Sequence, residues 1–263
     1  MKYTDMIGHE VELAQNPQRI ISLVPSQTEL LYDLGLGERV VGITKFCIHP
    51  ESWFRSKERI GGTKTVNIAK VAALKPDLII ANKEENTKED IDRLRDIAPV
   101  WTSDIFNLED SLDMILRIGS ITQTEAVAQE ITARISQDFA MVHFPLIQDK
   151  RLAYFIWYNP LMVAGSHTFL HDILTRIGFE NVFSTVPRYP QTQWQDLQAL
   201  APDYILLSSE PFPFKDKHLL EFREKLPNAT ILLVDGELFS WYGSRLMQSM
   251  AYFKKIFASN LSH

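Results

Sequence analysis

The chain has 263 residues, 45% of them hydrophobic and 23% charged, with 11 glycines and 13 prolines. That length exceeds one average domain, and that composition can bury a core, which excludes wholesale disorder. A formal charge of -6 without any clustered basic run excludes nucleic acid as a partner, because phosphate binding needs a basic surface.

The N-terminal stretch MKYTDMIGHEVELAQNPQRI contains no apolar segment of signal-peptide length. No run reaches the roughly 18 apolar residues of a membrane span, so none is expected. Taken as written, the chain is expected in the cytoplasm; a leader removed ahead of Met1 would make it periplasmic. The single cysteine, Cys47, excludes an internal disulfide.

Strand-length apolar runs follow in order: IISLV from Ile20, VVGIT from Val40, DLIIA from Asp77, AYFIW from Ala153, YILLS from Tyr204 and ILLVD from Ile231. Amphipathic patterns at Thr28 to Leu34, Lys88 to Ile97 and Phe169 to Ile177 lie between them. Continuous apolar strands alternating with helices predict parallel sheets covered on both faces.

The chain also repeats itself. Leu74, Pro76, Asp77 and Glu84 recur as Leu200, Pro202, Asp203 and Glu210, each pair 126 positions apart. From Asn107 to Phe144 the pattern is helical and free of proline. Thr124 is a candidate N-cap, Pro145 a stop, and Val127, Ile131, Ile135 and Phe139 form an apolar stripe. About twenty such residues would span roughly 30 Å. The expected fold is α/β: two Rossmann-like parallel-sheet lobes, 1–106 and 145–263, joined by a helical linker at 107–144 containing one long backbone helix. A ligand cleft is expected between the lobes.

Ligands of open parallel sheets bind beyond the carboxyl ends of the strands. The residues just past each strand are therefore the candidates. In the first half they are Pro25, Ser26, Phe46, Cys47, His49, Glu84, Glu85 and Asp104. In the second they are Trp157, Glu210, Phe212, Phe214, Asp235, Glu237, Trp241 and Tyr242. Aromatic side chains with a few polar groups suit a large, partly apolar ligand. Trp157 fits a core position equally well by its strand alternation. Cys47 and His49 are candidate ligands to a metal, which a cleft acid would have to complete; a buried cysteine beside a hydrogen-bonded histidine is the plainer reading. No phosphate-cradling glycine loop, HExxH, GxSxG or CxxC is present, so no catalytic residue is assigned.

The segments Arg19-Ile-Ile-Ser-Leu-Val-Pro25-Ser26-Gln-Thr28-Glu29, Gly61-Gly62-Thr63-Lys64 and Leu74-Lys75-Pro76-Asp77 resemble the class III substrate-binding proteins, which serve ABC importers of cobalamin, ferric siderophores and haem. Phe46-Cys47-Ile48-His49-Pro50, Ser209-Glu210-Pro211-Phe212-Pro213-Phe214 and Ser240-Trp241-Tyr242-Gly243-Ser244-Arg245 resemble a signal-less branch labelled cobalamin-binding or helical backbone metal receptor. The resemblance implies corrin contacts at Tyr189 and Trp241, with Phe46 in place of a cleft tyrosine. Arg188 joins Glu84, Glu85, Glu210, Asp235 and Glu237 as groups that orient polar parts of the ligand. Haem-binding relatives carry a tyrosine iron ligand where this chain has Gly62.

Importer-docking relatives offer a permease one glutamate from each lobe, and the matching residues here are Ala69 and Gln195. A neutral pair cannot make those charge-assisted contacts. The expected function is thus non-enzymatic binding of a bulky metal complex, a corrinoid such as cobalamin or an iron-siderophore, by a monomer with no intrinsic cofactor. A conventional importer subunit and a metal-dependent enzyme using Cys47 and His49 are the alternatives.

Overall fold

The computed structural model describes residues 1–258; residues 259–263, the end of the expected C-terminal lobe, lie outside them. The chain divides into two compact units. The first comprises Met1–Ile105, Glu109–Arg134 and Tyr242–Arg245, and the second Phe106–Leu108, Ile135–Trp241 and Leu246 onward.

The first unit opens with an antiparallel hairpin, β1 (Lys2–Thr4) and β2 (Glu10–Glu12). Then come β3 (Ile20–Ser22), α1 (Pro25–Asp33), β4 (Val40–Ile43), α2 (Glu51–Ser56) and β5 (Glu58–Arg59). A second small hairpin, β6 (Gly61–Gly62) and β7 (Thr65–Val66), leads to α3 (Ile68–Ala73), β8 (Leu78–Asn82), α4 (Lys88–Arg95) and β9 (Val100–Ser103). The main sheet has the order β5-β4-β3-β8-β9, with every pair parallel. All five residues of β8 and all three of β3 are buried, as expected where helices cover both faces of a parallel sheet. Ile21, Leu23, Val71, Ile79 and Leu94 centre its core, each contributing about 1.5–3 kcal/mol on burial.

Two helices follow, α5 (Leu108–Thr122) and α6 (Glu125–Ala140). They occupy the helical linker expected over 107–144, and are separated where Gln123 takes a left-handed φ of +57° and breaks the ladder just before Thr124, the candidate N-cap. Helix α6 is the backbone helix that the sequence announces, with 16 residues. Its residues are shared between the units, with the division after Arg134. Ile131, Ile135 and Phe139 of the apolar stripe are buried, while Val127, in its first turn, is exposed.

The second unit contains β10 (Arg151–Trp157), β11 (Met162–Val163), α7 (Phe169–Arg176), β12 (Glu180–Asn181), α8 (Trp194–Leu200) and β13 (Tyr204–Ser208). It ends with α9 (Asp216–Lys225), β14 (Thr230–Val234), α10 (Glu237–Ser240) and α11 (Leu246–Ala258). Strands β10, β13 and β14 run parallel, β12 pairs parallel with β10, and β11 pairs with it antiparallel. Phe155, Leu207, Phe222 and Ile205 centre this core.

The 126-residue repeat has a physical meaning. Lys75 after α3 and Ala201 after α8 both take a left-handed φ, of +48° and +43°, and each helix stops there. A proline follows in both. The next residue, Asp77 or Asp203, then anchors its strand to the neighbouring one. Asp77 accepts the Gln18 and Arg19 amides at 2.7 and 2.8 Å, and Asp203 accepts the Arg151 amide at 2.8 Å. The backbone amides of Asp77 and Asp203 donate back to the carbonyls of Arg19 and Arg151 at 2.9 and 2.8 Å. These bonds set the registers Ile20 with Leu78 and Leu152 with Tyr204. The motif thus staples a helix end to the start of a central strand pair, twice.

Candidate functional site

The carboxyl ends of both sheets carry the expected residues, and the structure sorts them. In the first unit, Pro25 sits at the first position of α1 with Ser26 buried behind it, so Ser26 is part of the helix packing rather than an open contact. Cys47, expected among the contacts and as a metal ligand, is fully buried. Its sulfur lies 3.0 Å from Thr28 Oγ1 and 3.1 Å from Thr44 Oγ1. Burial pushes the Cys47 thiol up, against the pull of those two hydroxyls. A thiol held neutral and enclosed is a poor metal ligand. Among the described residues, no three His, Cys, Asp and Glu side chains gather closely enough to hold a metal ion. The metal assignment to Cys47 and His49 is corrected accordingly.

Phe46, by contrast, is 50% exposed, with Lys45 Nζ 5.0 Å from its ring centroid. Its ring also fills the space above Gly62, where an added Cβ would meet Phe46 Cε2 at 3.2 Å and Thr65 Oγ1 at 2.8 Å. Beyond β8 the loop is built by two asparagines that sequence reasoning missed. Asn82 Oδ1 accepts the amides of Glu84 and Glu85 at 2.9 and 3.0 Å, and Asn86 Oδ1 accepts the Asn82 amide at 2.9 Å. This turn leaves Glu84 exposed and Glu85 half-buried. Burial, and then the charge of Glu84, push the Glu85 carboxyl above the ordinary carboxylate range, with Lys64 opposing. Asp104 is bound to Lys83 at 2.5 Å.

The second unit holds the aromatic residues. Trp157, at the end of β10, is 39% exposed, which settles its strand alternation in favour of the surface. Its indole donates to the Asn159 carbonyl at 3.0 Å, and its ring meets half-buried Phe212 edge-on at 5.7 Å. Tyr158 stacks on the same Phe212 at 5.8 Å and 28°. The Tyr158 hydroxyl donates to Glu221 Oε2 at 2.5 Å, a bond that pushes the phenol up. His218 lies 4.7 Å from Tyr158 between ring centroids. Its Nδ1 accepts the Lys215 amide at 2.9 Å, so its proton sits on Nε2, and burial lowers its basicity. Phe214, expected as a contact, is only 6% exposed and belongs to the core, where it meets Phe222 and His218. Alternation past the strand end turns Phe212 out and Phe214 in.

Glu210 and Trp241 form a further polar arrangement. Glu210 Oε1 accepts the Trp241 indole N–H at 2.7 Å and the Ser240 hydroxyl at 3.0 Å. Trp241 is buried, at 8% exposure. Ser208 Oγ donates to the Glu210 carbonyl at 2.6 Å, and Gly236 donates to Ser209 Oγ at 2.9 Å. Only glycine fits at 236, since a Cβ would lie 2.3 Å from Ser208 Oγ and 2.7 Å from Glu210 Cγ. Asp235 caps the Glu237 amide at 3.1 Å. Arg188 is exposed and spans Phe106 and half-buried Tyr189, at 5.8 and 5.6 Å from their ring centroids.

Tyr242, expected beside Trp241, belongs with Gly243, Ser244 and Arg245 to the first unit. The Gly243 amide donates to Ser111 Oγ at 3.0 Å, and buried Arg245 pairs with Glu29 at 2.7 Å. The missed groups Asn82 and Ser208 had one available signal: they too stand 126 positions apart, each at the last residue of its strand.

Residues 20–226 match the protein family described as periplasmic binding protein. The vitamin B12-binding protein of Yersinia pestis (strain Pestoides F) is 28% identical over 200 residues, covering 74% of this chain and 71% of that one. The periplasmic vitamin B12-binding protein of Vibrio cholerae superposes with a TM-score of 0.76 at 20% identity, over 93% of this chain and 99% of that one. A siderophore-binding protein bound to two acinetobactin molecules and ferric iron gives 0.79 at 19% identity, over 100% and 99%. The structural likenesses carry the fold.

Proposed function

This chain belongs to the periplasmic binding protein family, and from that premise we propose that it binds a bulky metal complex without chemically changing it, cobalamin or another corrinoid before a ferric siderophore. The matched relatives are binding proteins rather than enzymes. The observation that carries the proposal is the shelf of Trp157 and Phe212 at the carboxyl end of the second unit's sheet, backed by Tyr158. Partly exposed aromatic rings in mutual contact gain free energy by covering a large flat apolar ligand. Arg188, Tyr189, Asp235 and Glu237 are proposed to meet its polar periphery. In the first unit, Phe46, His49, Glu84 and Glu85 keep the accessibility that a ligand contact needs.

Docking on a permease through paired carboxylates finds little support. Ala69 and Gln195 are exposed in the first turns of α3 and α8, and neighbouring Lys70 is bound to Glu58 at 2.6 Å. Retention or hand-off of the complex is the role we assign. Among the described residues no helix is long and apolar enough to cross a membrane. We assign the compartment named for its family, the periplasm; recovery of the protein in the cytoplasmic fraction of cells would overturn that.

Calorimetric titration with cyanocobalamin, and separately with a ferric siderophore, tests the proposal. We expect saturation near one complex per chain, weakened tenfold or more in Trp157→Ala, because a stacked aromatic contact is worth about 1–3 kcal/mol. No heat with either complex would overturn it.

A further inference from the structure

Glu210 sits among the strand-end residues that would meet a ligand, yet its geometry points inward. One carboxylate oxygen receives two protein donors, the Trp241 indole at 2.7 Å and the Ser240 hydroxyl at 3.0 Å. The backbone of the same residue is held on both sides by Ser208, whose hydroxyl donates to its carbonyl at 2.6 Å and receives its amide at 3.3 Å. The vacant Cβ position of Gly236 is what lets the 235–237 turn approach this closely. Two residues on, Phe212 donates its amide to the Ile156 carbonyl at 3.3 Å and presents its ring to Trp157 at 5.7 Å.

We infer that Glu210 is a positioning residue. It pins the 209–214 loop to the buried Trp241 and thereby fixes Phe212 against Trp157, so that the aromatic shelf exists before the ligand arrives. Trp241 is then the brace behind the shelf, not a stacking surface, consistent with its 8% exposure. Preorganisation of this kind raises affinity by removing the cost of ordering the loop on binding. The energetic part of this inference rests on the binding function proposed above; the structural part does not.

The chain has five tryptophans, so an indole-region 1H–15N spectrum of the ligand-free protein carries one N–H signal for each. In Glu210→Ala we expect the Trp241 and Trp157 signals to move, and those of Trp53, Trp101 and Trp194 to stay. Glu210→Gln keeps an amide oxygen as acceptor and should restore the wild-type pattern. Trp241→Phe keeps a ring but removes the donor, and should move the Trp157 signal as Glu210→Ala does. Cyanocobalamin affinity should fall about tenfold in Glu210→Ala, the loss of one charge-assisted bond, and return in Glu210→Gln.

A Trp157 signal unmoved in both Glu210→Ala and Trp241→Phe would overturn the inference. So would general movement of all five signals, which marks a merely structural role. Wild-type protein that fails to bind cyanocobalamin or the siderophore, while the Trp157 signal still follows Glu210, would sink the proposed function and leave the positioning role standing.

Discussion

Glu84 and Glu210 occupy equivalent places, two residues beyond the ends of β8 and β13, and the two units treat them differently. Asn82 folds its loop by accepting two backbone amides, which leaves Glu84 exposed and Glu85 half-buried beside it. Ser208 folds the corresponding loop by bonding both the amide and the carbonyl of Glu210, and Trp241 with Ser240 then take up the carboxylate. Upstream, the two halves agree closely: a left-handed residue, a proline and an aspartate that grips the neighbouring strand. Backbone stapling is thus shared between the units, while the side chains at the strand ends are free to diverge. The first unit keeps acidic groups in contact with water; the second spends its glutamate on holding an aromatic loop in place.

The comparison can be broken most forcefully at a second captured carboxylate, Glu29. There the partner is a full charge, Arg245, 216 positions away in sequence, with both side chains nearly buried. Arg245→Met strands a buried carboxylate and should cost about 3–5 kcal/mol in urea unfolding near neutral pH. Burial lifts the Glu29 carboxyl above its ordinary value, outweighing Arg245. A raised folded-state value means that the stability from its protonated form is complete below the unfolded value and is lost as pH rises through the folded one. The deficit of Arg245→Met should therefore shrink as pH falls through the raised folded-state range, and be smallest by about 4.3, the ordinary glutamate value. A deficit independent of pH would show that Glu29 is not the stranded group.

Next in size, the two motif aspartates should separate the units. Asp77 receives two backbone amides and Asp203 one. Asp77→Ala should cost about 3 kcal/mol or more and Asp203→Ala about 1.5–3, on the usual worth of a hydrogen bond to a charged group. Equal losses would mean that the staples are interchangeable after all.

The smallest effect belongs to Glu85, lifted by its burial and by Glu84. Glu85→Gln should stabilise the protein near neutral pH by less than about 1 kcal/mol, since the group is only half-buried. The same linkage makes that gain vanish at acid pH, where Glu85 is protonated in the folded and unfolded states alike. Thermal unfolding at both ends of the range reads it.

Much of this protein was legible from its residues alone. The central strands are apolar through their length because both faces of a parallel sheet are covered, so IISLV, DLIIA and YILLS announce β3, β8 and β13 without further help. The repeated Leu-x-Pro-Asp marks both helix-to-strand corners, since it encodes a local requirement: a helix stop, a rigid turn and an acceptor for nearby amides. Parallel sheets in turn direct attention to the strand ends, which is where exposed Trp157 and half-buried Phe212 lie.

Tertiary structure decided the rest, wherever the outcome depends on a partner far along the chain. Cys47 is held as a thiol by its complete burial, which outweighs the opposing hydroxyls of Thr28, 19 residues upstream, and Thr44. Phe214 is buried in the core against Phe222 of α9, while Phe212 packs on that core only half-buried. Tyr242–Arg245 belong to the first unit through Ser111 and Glu29, 132 and 216 positions away. Local sequence carries the period, the turn and the cap; burial and hydrogen-bond capture are properties of the folded neighbourhood.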